Sequence, residues 1–148
     1  MELSYVILAR HTDLALDGTL SALGMDFERV RAAKFPVLTP LAVVAKLESS
    51  DFGDVSPPSS IRFDILGPDG KSILETPIDD MKLEGQKSLN QTPRPGKKKS
   101  LRVVLDMGGV LLPAAGEYEV HFEIAVHVDA GTIVFKKVLS FAVEAIDV

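Results

Sequence analysis

The chain has 148 residues, a length that fits one domain with a single core. It has no cysteine, which excludes disulfides, thiolate metal sites and a cysteine nucleophile. The net charge is −5, yet the segment from Gln86 to Arg102 carries six cations and no acid, so an acidic body is joined to one basic segment.

The first residues do not match a secretory signal. An apolar stretch follows Glu2 and ends at Arg10, whereas a signal needs a basic start and a longer apolar run. No apolar run approaches the roughly 18 residues of a membrane-spanning helix. We therefore expect a cytoplasmic protein without membrane association.

Short strands and turns fill the N-terminal third. Leu3 to Ala9 predicts a strand, and Thr12 to Leu16 is compatible with one turn of helix. The rest of this third predicts a turn at Asp17-Gly18, short strands over Leu20–Met25 and Phe27–Val30, and a break at Phe35-Pro36.

The middle of the chain alternates strands with two long irregular stretches, Ser49–Ser60 and Asp79–Lys99. Leu41 to Leu47 is apolar enough for a strand buried on both faces. The run Ile61, Phe63 and Ile65 predicts a strand that ends at the Gly67–Gly70 turn, with Ser72–Glu75 as the return strand.

The C-terminal part carries the clearest strand pattern. From Gly116 to Asp129, apolar and polar residues alternate almost without interruption, as in a half-buried antiparallel strand. Leu101–Asp106 predicts a strand before it, with a bulge or turn at Gly108-Gly109. Ile133–Ala145 predicts a final strand, and its apolar phase changes near Lys136-Lys137, where we predict a β-bulge.

The series of short strands predicts an all-β fold. Gly116 stands two residues before Tyr118 at the start of the long strand, as at the tyrosine corner of many immunoglobulin-like sandwiches. We therefore predict an immunoglobulin-like antiparallel β-sandwich of roughly seven to nine strands. It would form a single domain over residues 1–148, with a long basic, proline-rich loop at about 79–99.

Several short motifs carry a family resemblance. In order, they are Leu8-Ala9-Arg10, Asp17-Gly18-Thr19-Leu20, Leu23-Gly24, Phe27-Glu28-Arg29-Val30, Phe35-Pro36, Pro68-Asp69-Gly70 and Gly116-Glu117-Tyr118. The chain resembles an uncharacterised family of small bacterial proteins that is classed as a domain of unknown function. The resemblance implies a cytoplasmic bacterial β-sandwich. It implies no activity and no catalytic residues.

Histidines and their acidic neighbours are the first candidates for chemistry. His121 and His127 lie on one strand face but six residues apart, about 20 Å at 3.3 Å per residue, so they cannot share an ion. Glu119, His121 and Glu123 could line a weak divalent metal site if a neighbouring strand added a ligand. The alternative is a solvated face with cross-strand charge pairs. We predict no cofactor and no catalytic residue.

Other catalytic motifs are missing from the sequence. There is no Gly-x-Ser-x-Gly elbow, and Gly108-Gly109 lacks the Lys-Ser/Thr of a phosphate-binding loop. Asp79 and Asp80 are adjacent and would point apart in a strand, so they do not form a carboxylate pair across a cleft.

The basic segment is the remaining candidate. Its cations Arg94, Lys97, Lys98, Lys99 and Arg102 could dock on a protein partner or on another copy of the chain. They could also contact phosphates, but the segment has no aromatic residue for base stacking and the body is acidic. A solvated loop is the third interpretation.

We expect a non-enzymatic protein-interaction or accessory module. Its partner would be another protein, or a second copy through a sheet edge or face, rather than nucleic acid. One alternative is a small-ligand- or metal-dependent enzyme with a site on the loops at one end, including His11 or His127. The other is a nucleic-acid binder that uses the segment 87–102.

Overall fold

The computed structural model describes residues 2–16, 19–49, 58–74, 78–81, 99–128 and 131–147. These residues form ten β-strands and no helix, which confirms the all-β prediction. The strands are β1 (Glu2–Ala9), β2 (His11–Leu14), β3 (Leu20–Leu23), β4 (Arg29–Ala32), β5 (Val37–Ser49), β6 (Pro58–Leu66), β7 (Ile78–Met81), β8 (Lys99–Leu112), β9 (Gly116–Val128) and β10 (Gly131–Ala145).

Two facing sheets enclose the core. One has the order β1-β5-β8 and the other the order β4-β10-β9-β6-β7, while β2 and β3 form a separate hairpin. Neighbouring strands are antiparallel except β4 and β10, which run parallel. Both sheets contribute to one buried apolar cluster, whose largest members are Tyr118, Phe63, Phe122, Phe141, Leu41 and Leu47.

The alternation predicted for β9 divides its residues between core and solvent. Tyr118, Val120 and Phe122 point inward and are almost fully buried, as are Ile124 and Val126 further along the strand. Glu119 and His121 stand on the opposite, outer face. This period of two places the polar side chains of β9 on one surface, where neighbouring strands can pair with them.

A tyrosine corner joins β8 to β9. The Tyr118 hydroxyl donates a hydrogen bond to Ala114 O at 2.6 Å and accepts one from Ala114 N at 3.2 Å. Its ring stacks on Phe141 of β10, with centroids 5.3 Å apart. Gly116 has φ 139°, and a Cβ there would lie 2.6 Å from Pro68 Cγ. The tyrosine corner predicted at Tyr118 is therefore confirmed. A glycine is required at position 116 because of its positive φ and its close approach to Pro68.

The bulge predicted at Lys136-Lys137 is wrong. β10 pairs with β9 in one uninterrupted register from Gly131 opposite Val128 to Val143 opposite Gly116. Lys137 lies opposite the buried Phe122, so its side chain leaves β10 on the core side. It is nevertheless exposed. A lysine on this face, rather than an extra residue, breaks the apolar pattern.

A bulge does occur in β8, where the sequence predicted a bulge or turn. Pro40 of β5 pairs with Gly109 and Ala42 pairs with Asp106, so two β8 residues, Met107 and Gly108, oppose one β5 residue. Gly108 has φ 63°, a conformation that favours glycine.

Several local predictions need correction. His11–Leu14 is strand β2 rather than a turn of helix, and Ile78–Met81 is strand β7 at the start of the predicted loop at 79–99. Ser72 forms one isolated bridge with Leu66 instead of a return strand. Three predicted features lie wholly or mostly outside the described residues: residues 82–98 of the predicted loop, the Asp17-Gly18 turn and the irregular stretch at 49–60.

Candidate functional site

The outer face of the five-stranded sheet holds the residues proposed for a metal site. His121 Nε2 lies 2.8 Å from Glu119 Oε2, so these two pair along β9. Glu123 contacts cations on both neighbouring strands, with Arg62 Nη1 of β6 at 3.9 Å and Lys136 Nζ of β10 at 3.6 Å. The three residues therefore divide into two sets of contacts.

This arrangement is a charge ladder across three strands. No group of three or more His, Asp or Glu side chains within the described ranges is placed to hold a metal ion. His127 lies further along β9, where its Nδ1 is 2.9 Å from Thr132 Oγ1, whereas His121 is opposite Val138. The two histidines therefore lie opposite different residues of β10.

A second polar cluster joins the β2–β3 hairpin to the bulge in β8. Asp106 Oδ1 accepts a hydrogen bond from Gly108 N at 2.9 Å, and its Oδ2 accepts one from Thr12 Oγ1 at 3.0 Å. His11 Nδ1 is 3.9 Å from the same Oδ2. The Gly108 amide, together with the Thr12 hydroxyl and amide and the His11 charge, outweighs partial burial and lowers the pKa of Asp106 below its usual value.

The order of these contacts argues for an anchoring role. In a hydrolytic triad the histidine stands between the acid and the nucleophile, so that it can take the hydroxyl proton. Here the Thr12 hydroxyl donates directly to Asp106, and His11 approaches the same carboxylate oxygen. Asp106 thus holds the hairpin against β8. No sequence pattern predicted this cluster, because 94 positions separate Thr12 from Asp106.

The cations of the basic segment divide between described and undescribed residues. Arg94, Lys97 and Lys98 lie outside the described residues, and of Lys99 only the backbone at the start of β8 is described. Arg102 is opposite Lys46 of β5, and its half-buried side chain has a buried Nε with no hydrogen-bond partner in the described part of the chain. The docking role of these five residues stays a prediction.

Sequence reasoning missed an edge of β10 with which no strand of the described residues pairs. β4 pairs only with Ala142–Ala145 of this strand. Ala142 N donates to Glu28 O at 2.8 Å and Ile146 N donates to Ala32 O at 3.0 Å, so the even-numbered residues here direct their amides away from β9. Because alternate residues of a strand face opposite sides and the register with β9 has no shift, the same holds for the even-numbered residues 132 to 140.

These five residues form what we call the β10 edge, the outward-facing backbone groups of Thr132, Val134, Lys136, Val138 and Ser140. Among the described residues, no strand pairs with this edge. Nine residues of strand span about 30 Å. Val134 and Val138 are 48% and 52% exposed beside it, so apolar side chains accompany the unpaired backbone.

Comparison with protein-family models identifies the family of this chain. A family model described as a family of unknown function, DUF6941, matches residues 4–130. The chain belongs to this family. The match confirms the resemblance drawn from the sequence, while the bacterial origin stays a prediction.

Two other comparisons gave no match, either among curated proteins or among solved structures. The described part of the chain contains no helix with the length and hydropathy needed to cross a membrane. The family is described as one of unknown function, so the function must be inferred from the geometry of the described residues.

Proposed function

We propose that this chain is a non-enzymatic protein-interaction module that binds an extended segment of its partner as an added strand along the β10 edge. Strand addition uses main-chain hydrogen bonds for affinity and alternate side chains for specificity. The observation that carries the proposal is the uninterrupted register of β10 with β9 beside an edge that no described strand occupies.

Other sheet edges in the described residues are less suited to receive a strand. β1 has a register shift between Leu3 and Tyr5, and its Leu8 O already accepts a hydrogen bond from Asp26 N. β8 carries the bulge at Met107 and Gly108, and β7 has only four residues. Bulges and short strands are common means of protecting an edge from pairing. The β10 edge has neither over residues 132–140.

The two polar clusters support the module over an enzyme. Glu123 is shared between two cations, and Asp106 accepts from the bulge and the hairpin, so both carboxylates serve contacts within the fold. The cytoplasmic location and the immunoglobulin-like subtype inferred from the sequence belong to this proposal.

Proline substitution on the β10 edge tests the proposal. Val138→Pro removes an amide that points away from β9, so the β9–β10 ladder keeps its hydrogen bonds. Val138→Thr is the matched control, because it retains the amide and the β-branched shape. Val134→Pro repeats the test at a second position, and circular dichroism verifies that each variant folds.

Linear peptides selected from a random library against the wild-type protein serve as probes. We expect them to bind the wild type and Val138→Thr similarly, and to bind Val138→Pro and Val134→Pro at least about tenfold more weakly. Equal binding to folded proline variants would refute the edge as the docking surface, as would a selection that yields no binder.

A further inference from the structure

Lys137 places a cation beside the β10 edge. It lies on the core-side face of β10, opposite Phe122, and yet it is exposed. Its neighbours on that face, Phe135 and Leu139, are partly buried and pack against the core. A strand added at the edge would place one residue opposite each of these three side chains.

We propose that the segment bound at the β10 edge carries an acidic residue opposite Lys137, flanked at the alternate positions by apolar residues opposite Phe135 and Leu139. This inference rests on the proposed function and names the partner's chemistry. An apolar residue opposite Lys137 would remove water from an ammonium without compensation, whereas a carboxylate would pair with it beside the apolar cluster.

Charge also argues against two other occupants of the edge. A second copy paired β10 to β10 would oppose Lys137 with lysine or with an uncharged residue, because Gly131–Val143 contains two lysines and no acid. The chain's own segment Gln86–Arg102 is equally unsuitable, since it carries six cations and no acid. The described partner of Lys136 is Glu123, 3.6 Å away on the outer face, which leaves Lys137 as the cation for the incoming strand.

The probe is the synthetic peptide Thr-Val-Thr-Glu-Thr-Val-Thr. Its central glutamate falls opposite Lys137 when the peptide spans residues 134–140 in either direction, because its pattern reads the same both ways. Two comparison peptides replace the glutamate with glutamine or with lysine. Binding is measured by NMR titration of the full chain, which also shows which amides respond.

We expect the glutamate peptide to bind about tenfold more tightly than the glutamine peptide and to shift the amides of residues 132–140. The lysine peptide should not bind the wild type. In Lys137→Glu this order should reverse, with the lysine peptide bound best. Lys71→Glu is the matched control, because Lys71 is exposed directly after the Gly67–Gly70 turn. Its replacement makes the same change in net charge as Lys137→Glu.

The outcomes separate this inference from the proposed function. Equal binding of the glutamate and glutamine peptides at the edge would show that Lys137 only discourages indiscriminate pairing, and would overturn the acidic preference alone. Failure of all three peptides, while library-selected peptides without an acid bind and remain sensitive to Val138→Pro, would also overturn it alone. Peptide binding that Val138→Pro leaves unchanged would overturn both the acidic preference and the proposed function.

Discussion

Replacing Tyr118 with phenylalanine removes one hydroxyl from the corner before β9 and leaves the ring in place. That hydroxyl makes two hydrogen bonds to Ala114, at 2.6 Å and 3.2 Å, from a tyrosine with no exposed surface. A hydrogen bond contributes about 0.5–1.5 kcal/mol net, and a buried group left unpaired costs more. Ala114 itself is exposed, so water can replace part of the loss. We expect the free energy of unfolding to fall by about 1–2 kcal/mol.

Urea unfolding followed by far-ultraviolet circular dichroism measures this change without depending on tyrosine fluorescence. Tyr5→Phe is the matched control, because Tyr5 is the other tyrosine and is 36% exposed on β1. Its effect should lie within about 0.5 kcal/mol of zero. The dependence on urea should keep the same slope in both variants, since the surface exposed on unfolding is unchanged. A Tyr118 effect no larger than that of Tyr5 would refute the structural role of the corner.

Two further predictions concern Gly116 and Asp106. Gly116→Ala should cost about 2–4 kcal/mol, because it adds backbone strain at φ 139° and a clash with Pro68. Gly70→Ala, at φ 76° with open space around it, should cost only about 1–2 kcal/mol, and equal losses in urea unfolding would contradict this reasoning. Asp106 has a lowered pKa, so its ionised form stabilises the fold above its unfolded pKa of about 3.9, and that contribution is lost as pH falls through the lower folded value. Asp106→Asn should therefore be less stable than the wild type at pH near 7, with the difference shrinking below about pH 4; a difference that does not change with pH would contradict it.

Strands whose polar and apolar residues alternate were predictable because their pattern depends on residues close in sequence. The alternation along β9 follows from one face packing on the core and the other meeting solvent, and the glycine before Tyr118 marks the corner. Gly108-Gly109 was predictable as a bulge or turn for the same reason, since a positive φ favours glycine locally.

Features that depend on distant residues were not predictable in this way. The contact between Thr12 and Asp106 spans 94 positions, and neither residue type is unusual for a surface. The parallel pairing of β4 with β10 joins Arg29 to Ala142, and it decides where the β10 edge begins. The residues of β10 alone do not encode which strand pairs beside them, because that pairing depends on the order of strands in the sheet.

The interrupted pattern of β10 nevertheless contained the information needed to place Lys137. A bulge inserts one residue, so the apolar positions after it should change from odd to even numbers. Along β10 the core-facing apolar residues Ile133, Phe135, Leu139, Phe141 and Val143 all keep odd numbers, and Lys137 occupies the position between them. A central strand would bury such a lysine at high cost, whereas an edge strand lets its ammonium reach water past the open side. A charged residue that interrupts the apolar face while the apolar residues keep their odd numbers therefore indicates a stretch of strand with an open edge. Here it marks the same stretch of β10 with which no described strand pairs.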